Sequence, residues 1–207
     1  MQAVCICEPS EKDKTLIEFF TDVEIPSGGY VFCNRIEKAC HISYLLENLG
    51  YTPIVVDSSD TMENRRAKFK RFKDENDYNI CIVTHGTEIR YAKIYGINTV
   101  FMYDLPRSQN PNISFDEQDA DLERYAYIQR RLVADGYRTK GVCMNLVDST
   151  DGNELRRFNQ IRYGCISWHR RQPGIFPYIF HRRDPQTQQA TDVIANFEEE
   201  REIWMEI

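Results

Sequence analysis

The densest candidate chemistry lies in YAYIQRRLVADGYRTKGVCMNLVD, Tyr125 to Asp148. Arg130, Arg131 and Arg138 sit on the end of a helix-like pattern, just before a glycine (Gly141) and an apolar run to Asp148. A guanidinium is the donor that phosphoryl oxygens and carboxylates accept from as a fork. A polar loop beside a strand end is also where open α/β sheets keep their sites. A second stretch, DEQD at Asp116–Asp119, imitates an acidic metal-nucleotide box. It falls in a polar insertion rather than at the end of a buried strand, so it reads as an acidic surface loop. No G-x-x-x-x-G-K-S/T run occurs anywhere, so a phosphate loop is expected on a domain that is missing or outside this chain.

A third candidate is the block from Arg156 to Arg183. It holds seven arginines, two histidines and no acid, interleaved with Phe158, Tyr163, Trp168, Phe176, Tyr178 and Phe180. Arginine with stackable rings suits single-stranded RNA and equally suits protein hot spots. The plainer reading packs the rings on the core and pairs the arginines with the acidic end, FEEEREIWMEI. Seven scattered cysteines, with Cys5-x-Cys7 the only close pair, lack the two-pair spacing of a zinc site and read as reduced core thiols. No metal is expected. No apolar run reaches 18 residues and no leader precedes the first strand, so neither a membrane span nor a signal peptide is expected, and the chain is read as intracellular.

These candidates need elements to hold them. Short apolar runs at 3–9, 29–35, 52–58, 79–86, 97–106 and 141–148 read as strands. Amphipathic stretches at 11–23, 36–50, 61–76, 122–133, 151–164 and 187–207 read as helices, and 87–96 as a short helix or loop. In 36–50 the expected inward stripe is Ile36, Ala39, Cys40, Leu46 and Leu49, with Gly50 as the C-terminal stop. In 61–76 it is Met62, Phe69 and Phe72, with Thr61 as N-cap. Alternation of apolar strands with helices implies a three-layer α/β domain, a mostly parallel sheet with helices on both faces. Its sites belong beyond the C-terminal strand ends.

The wording of those strand ends resembles one family. YVFCNR (30–35), MENRRAKFKRFK (62–73), ICIVTHGTEIRYAKIYGINTVFMYDLP (80–106) and the Tyr125–Asp148 stretch follow, in order, motifs IV to VI of the C-terminal RecA-like domain of DEAD-box RNA helicases. The resemblance covers about residues 1–165. The YDLP block, the insertion after it and NLVDS look closest to the mRNA-export branch that works at the nuclear pore.

The resemblance implies a RecA-like domain, 1–165, with a basic-aromatic segment and C-terminal helix, 166–207, packed on it. In the family this domain faces ATP with an acid and two arginines. At those positions stand Lys93, Val133 and Gly136, and the motif VI histidine is Gln129. Arg131 and Arg138 are each displaced by two residues from the lost arginines. The expectation is therefore a catalytically degenerate domain, not an enzyme, that binds protein or RNA in an RNA-processing assembly. The alternative is the second half of a divergent but active ATP-dependent RNA helicase, and only then are ATP and magnesium ligands. RNA-binding candidates are Arg65, Thr84, Arg90 and Arg130. The family's glycine-bearing turn that offers N–H groups to RNA phosphates is here DSSD, Asp57–Asp60, with two acids where a polyanion would lie. Candidates for a partner or RNA surface are Arg162, Trp168, Arg170, Arg171, Arg182 and Arg183. The expected partners are a protein of an RNA-processing complex and single-stranded RNA, with no membrane, on a monomeric domain in cytoplasm or nucleus.

Overall fold

The computed structural model describes residues 2–22, 28–74, 77–85, 87, 97, 99–106, 142–151, 154, 178–183 and 190–194. In chain order the elements are β1 (Gln2–Cys7), α1 (Lys12–Asp22), β2 (Gly29–Cys33), α2 (Ile36–Asn48), β3 (Pro53–Val56), α3 (Met62–Asp74), β4 (Ile80–Thr84), β5 (Thr99–Met102), β6 (Val142–Asp148), β7 (Tyr178–Arg183) and β8 (Ala190–Ile194). The sheet order is β3-β4-β2-β5-β6-β1-β7-β8. Every neighbouring pair is parallel except β7 with β8.

The strands are apolar on both sides because both sides are covered. One face of the sheet carries Val4, Phe32, Val56, Val83, Val100, Met102 and Val147 in a single buried cluster, against which Phe69 and Phe72 of α3 pack on the β3 side. The other presents Val31, Ile80, Ile82, Phe101, Met144 and Leu146 to Leu16, Phe19 and Phe20 of α1 and to Ala39, Ile42 and Leu46 of α2. Residue parity alternates between the two lists, as a pleated strand requires. Phe101 is the pivot of the second face. Its ring centroid lies 5.0 Å from Phe19 and 5.6 Å from Phe20, and Phe20 meets Tyr51 edge-on at 5.6 Å. The Tyr51 hydroxyl also donates to the Phe20 carbonyl at 2.7 Å, fastening the end of α1 to the chain after α2.

Helix ends follow local chemistry. The Thr61 hydroxyl accepts from the Asn64 N–H at 3.2 Å, which caps α3 as expected. Gly50 has φ of +86°, the left-handed turn that ends α2, and the Tyr51 N–H reaches back to the Leu46 carbonyl at 3.0 Å. The α2 stripe departs from expectation: Ala39, Ile42 and Leu46 are buried, while Ile36 and Cys40 are exposed. Spacing of three and four keeps one face, whereas Cys40, one residue after Ala39, is turned by about 100° towards solvent. Met62 is also exposed, at 54%. As the first residue of α3 it lies before the turn where Phe69 and Phe72 reach the sheet.

The expected terminal helix over 187–207 is corrected in part. Ala190–Ile194 is instead an edge strand, antiparallel to β7 from Ile179 to Arg183. Its β-branched Thr191, Val193 and Ile194 suit a pleated surface better than a helix, and 195–207 lie outside the described residues. So do 88–96, within the stretch expected as a short helix or loop, and the helix expected at 122–133. Of 151–164, Glu154 is placed at a helical turn, its N–H bonded to the Asp151 carbonyl at 2.9 Å.

One polar knot locks both helices of the second face to the sheet. The Tyr103 hydroxyl, just past β5, donates to Asp13 Oδ1 of α1 at 2.6 Å. His41 Nε2 of α2 lies 2.8 Å from Asp13 Oδ2, and Lys38 Nζ lies 3.9 Å from Oδ1. Burial alone would raise the Asp13 pKa. The bonds from Tyr103 and His41 and the Lys38 charge outweigh it and hold the carboxyl below its ordinary range.

Two outcomes follow from this packing. Phe101→Ala should cost roughly 3–5 kcal/mol in urea unfolding, because a fully buried ring leaves a cavity. Tyr44→Ala, at a position 63% exposed, should stay within about 0.5 kcal/mol. A lowered folded-state pKa stabilises above the unfolded value and fades as pH falls through the folded one. Asp13→Asn should therefore lower stability at neutral pH and flatten the loss seen below about pH 4, measured by denaturant midpoints across pH.

Candidate functional site at the carboxyl edge of the sheet

The C-terminal ends of β3 and β4 form the first polar group. Asp57 follows β3 and is only 8% exposed; Thr84 ends β4 and is 1% exposed. The Thr84 hydroxyl donates to Asp57 Oδ1 at 2.6 Å and accepts from the Ser58 N–H at 3.2 Å. The Ser59 N–H donates to Asp57 Oδ2 at 2.8 Å, and so does the Ser59 hydroxyl. The Asp57 N–H donates to Asp60 Oδ2 at 2.9 Å, and the Asp60 N–H to the Asp57 carbonyl at 3.2 Å. Lys68 of α3 grips both Asp60 oxygens, at 2.8 and 2.6 Å. Each backbone N–H from Asp57 to Asp60 thus has an acceptor within the turn or on Thr84. Burial by itself would raise the Asp57 pKa, but the hydroxyl and backbone donors around it win, and the carboxyl stays below its usual range.

The ends of β1, β2, β5 and β6 form the second group. Lys12 opens α1 yet is only 7% exposed. Its Nζ lies 3.4 Å from Asp104 Oδ1 and 3.8 Å from Glu154 Oε2. Asp104 also accepts from the Asn34 N–H at 3.0 Å, while the Asn34 amide donates to the Leu105 carbonyl at 2.9 Å. Glu154 Oε2 accepts from the Asp148 N–H at 2.5 Å. One cation serves two acids here. Burial lifts the Glu154 pKa above its ordinary range, and Lys12 offsets part of that rise. The group cross-links the ends of β2, β5 and β6 to α1 in a partly dry site, where such pairs hold geometry more than they add stability.

The cysteines carry no chemistry at this edge. Burial pushes the Cys33 and Cys81 thiols up, and Cys7 is raised by its bond with Cys5 and then by burial. None of the six described cysteines forms a disulfide, and only Cys40 is exposed. Among the described residues no group of three or more His, Cys, Asp or Glu could hold a metal ion. No helix among them is long and apolar enough to cross a membrane.

Of the residues singled out from sequence, Arg65 lies in the first turn of α3, half-buried, with its Nε buried and lacking a hydrogen-bond partner. Thr84 is at the edge but faces inward and supports the Asp57 turn. Arg182 and Arg183 belong to β7, where Arg182 is in register with Ile6 of β1. Arg90, Lys93, Gln129, Arg130, Val133, Gly136, Arg162, Trp168, Arg170 and Arg171 lie outside the described residues, as does the DEQD loop. The Lys12, Asp104 and Glu154 group and the Asp13 knot were not foreseen. A lysine inside EKDK reads as surface charge, and the only signal was that YDLP places Asp104 past a strand end.

Comparison with known proteins assigns this arrangement. Residues 11–132 match the helicase conserved C-terminal domain. The chain is 29% identical over 108 residues to the ATP-dependent RNA helicase MAK5 of Kluyveromyces lactis, covering 49% of this chain and 13% of that protein. It is 28% identical over 154 residues to the ATP-dependent RNA helicase SUB2 of Ajellomyces capsulatus, covering 74% and 31%. The chain therefore spans less than a third of either relative's length. Among solved structures, the C-terminal domain of the S. cerevisiae DEAD-box protein Dbp5, bound to Gle1 and IP6, superposes with a TM-score of 0.66 at 17% identity, covering 99% of this chain and 96% of that one. At that identity the likeness is one of fold.

These findings correct the expectation of a chain without enzymatic activity. The matched relatives are named as ATP-dependent RNA helicases. The family match also runs through Lys93 and Gln129, two of the positions on which that expectation rested. That expectation treats the displacement of Arg131 and Arg138 by two residues as loss of the donors, which sequence position alone does not establish. The fold is the RecA-like fold of DEAD-box C-terminal domains, and the chain belongs to the helicase conserved C-terminal domain family.

Proposed function

We propose that this chain is the second RecA-like half of an ATP-dependent RNA helicase, which closes on a first RecA-like domain to remodel RNA. The observation that carries the reading is the family match over residues 11–132, on a parallel sheet whose polar side chains gather at one carboxyl edge. Residues 1–165 are taken as that half and 166–207 as its extension, whose strands β7 and β8 continue the sheet beyond β1. ATP and magnesium are the ligands the reading calls for. With no metal-holding group among the described residues, the magnesium would take its protein ligand from the first domain. In this chain Arg130, Arg131 and Arg138 are the donors nearest the positions of the two missing arginines, and they are assigned to the γ-phosphate.

RNA is the proposed substrate, and a regulatory protein is a proposed partner, in line with the Gle1-bound state of the Dbp5 domain. An intracellular site of action in RNA processing or export goes with both. The test is RNA-stimulated ATP hydrolysis by the whole protein that carries this chain. Hydrolysis should rise on adding RNA, and at least one of Arg130→Ala, Arg131→Ala or Arg138→Ala should cut kcat by about 10³-fold or more. Absence of RNA-stimulated turnover in the unaltered protein would sink the reading.

A further inference from the structure

Helix α3 is strongly basic in an acidic chain. It carries three arginines and three lysines against Glu63 and Asp74, while the whole chain has 26 basic and 32 acidic residues. Two of the six cations are paired and a third is half-buried. Lys68 is held by both oxygens of Asp60. Arg71 lies over the Tyr78 ring, 4.9 Å from its centroid, and donates to the Tyr78 hydroxyl. Arg65 is half-buried against the body of the domain. The other three, Arg66, Lys70 and Lys73, are exposed and have no ion-pair or hydrogen-bond partner among the described residues.

Those three share one side of the helix. Their spacing of four and three residues places them within an arc of roughly 60° and steps of roughly 6 and 4.5 Å along the axis. Phe69 and Phe72 face the sheet beside them. The ridge runs down α3, which packs beside the edge strand β3, and so leads away from the strand ends. The turn at those ends has no N–H to spare, since Asp57, Asp60 and Thr84 already accept from it.

Resting on the helicase reading above, we propose that Arg66, Lys70 and Lys73 form a phosphate-tracking ridge that takes the backbone of single-stranded RNA. A row of exposed cations whose neighbouring rings, Phe69 and Phe72, are turned into the core fits sequence-independent backbone contact. A protein hot spot would want an aromatic anchor in a pocket. The exposed Tyr44 is on α2, which packs on the opposite face of the sheet.

The test uses the 207-residue chain and a labelled oligouridine, with affinity followed over about 50–200 mM salt. The triple change Arg66→Gln, Lys70→Gln and Lys73→Gln should lower the slope of log K against log salt by about 2, at roughly 0.7 per phosphate on a single strand. Lys68→Gln, at a cation already neutralised by Asp60, should leave the slope unchanged. Matching circular dichroism and melting curves show that the variants are folded. The proposal is overturned if the triple variant keeps the slope, if Lys68→Gln lowers it as much, or if the unaltered chain shows no salt-dependent RNA binding. A triple variant that keeps its RNA slope but loses an acidic protein partner would assign the ridge to protein, and also overturns it. RNA-stimulated ATP hydrolysis in the whole protein reads the helicase assignment separately. Turnover that persists while the ridge has no effect removes the ridge alone.

Discussion

A parallel sheet buried on both faces leaves polar chemistry nowhere to go but its rims. Phe32 and Phe101 sit in adjacent strands at 0% exposure, on opposite faces, so neither face can take a charge without losing a packed layer. Crossovers that run from strand to helix to parallel strand then put each strand's C-terminal end beside the start of the next helix. The acids, hydroxyls and lysines described above all stand at such junctions. Asp57 and Thr84 lie between β3, β4 and α3; Lys12, Asp104 and Glu154 lie between β1, β5, β6 and α1. The burial that fixes the fold therefore also fixes where a ligand can be met.

How much of this was legible depended on the length scale of the signal. Strands β1 to β6 were readable because each is a local apolar run closed by a polar or turn residue. The caps at Thr61 and Gly50 were readable for the same reason, each being a contact within four residues. Helix faces were read less well. Cys40 was placed inward and Ile42 overlooked, since composition along a helix does not say which of two neighbouring stripes meets the sheet. Strand β8 was misread because TDVI satisfies a helical pattern as well as a pleated one. What decided it was pairing with β7, a partner that local periodicity does not contain.

The edge chemistry was the least legible part, and separation in sequence explains why. Lys12 and Asp104 are 92 positions apart, Tyr103 and Asp13 are 90, and Thr84 and Asp57 are 27. Nothing in the neighbourhood of either member announces the other. Thr84 shows the consequence. Position on a motif suggested an outward contact to phosphate, whereas its hydroxyl is spent inward on Asp57. A motif fixes where a residue stands in the fold, but the direction of its hydrogen bond depends on what the rest of the chain puts within reach.

That distinction bears on how replaced residues should be weighed. The turn at Asp57–Asp60 carries two acids where an RNA-facing turn would be expected to offer free N–H groups. The acids are structural: one is buried against Thr84 and Ser59, the other is tied to Lys68 and to the Asp57 N–H. A carboxylate that accepts from the turn satisfies the same donors that a phosphate would have satisfied, at no cost in binding a partner and with the ordering entropy already met on folding. The turn thus closes the junction between β3 and α3 with donors and acceptors of its own. Lys68 neutralises one of the two acids, while Arg66, Lys70 and Lys73 form no ion pair among the described residues. Asp60 and Lys68 balance one another across eight positions, a pairing that position-by-position comparison does not register.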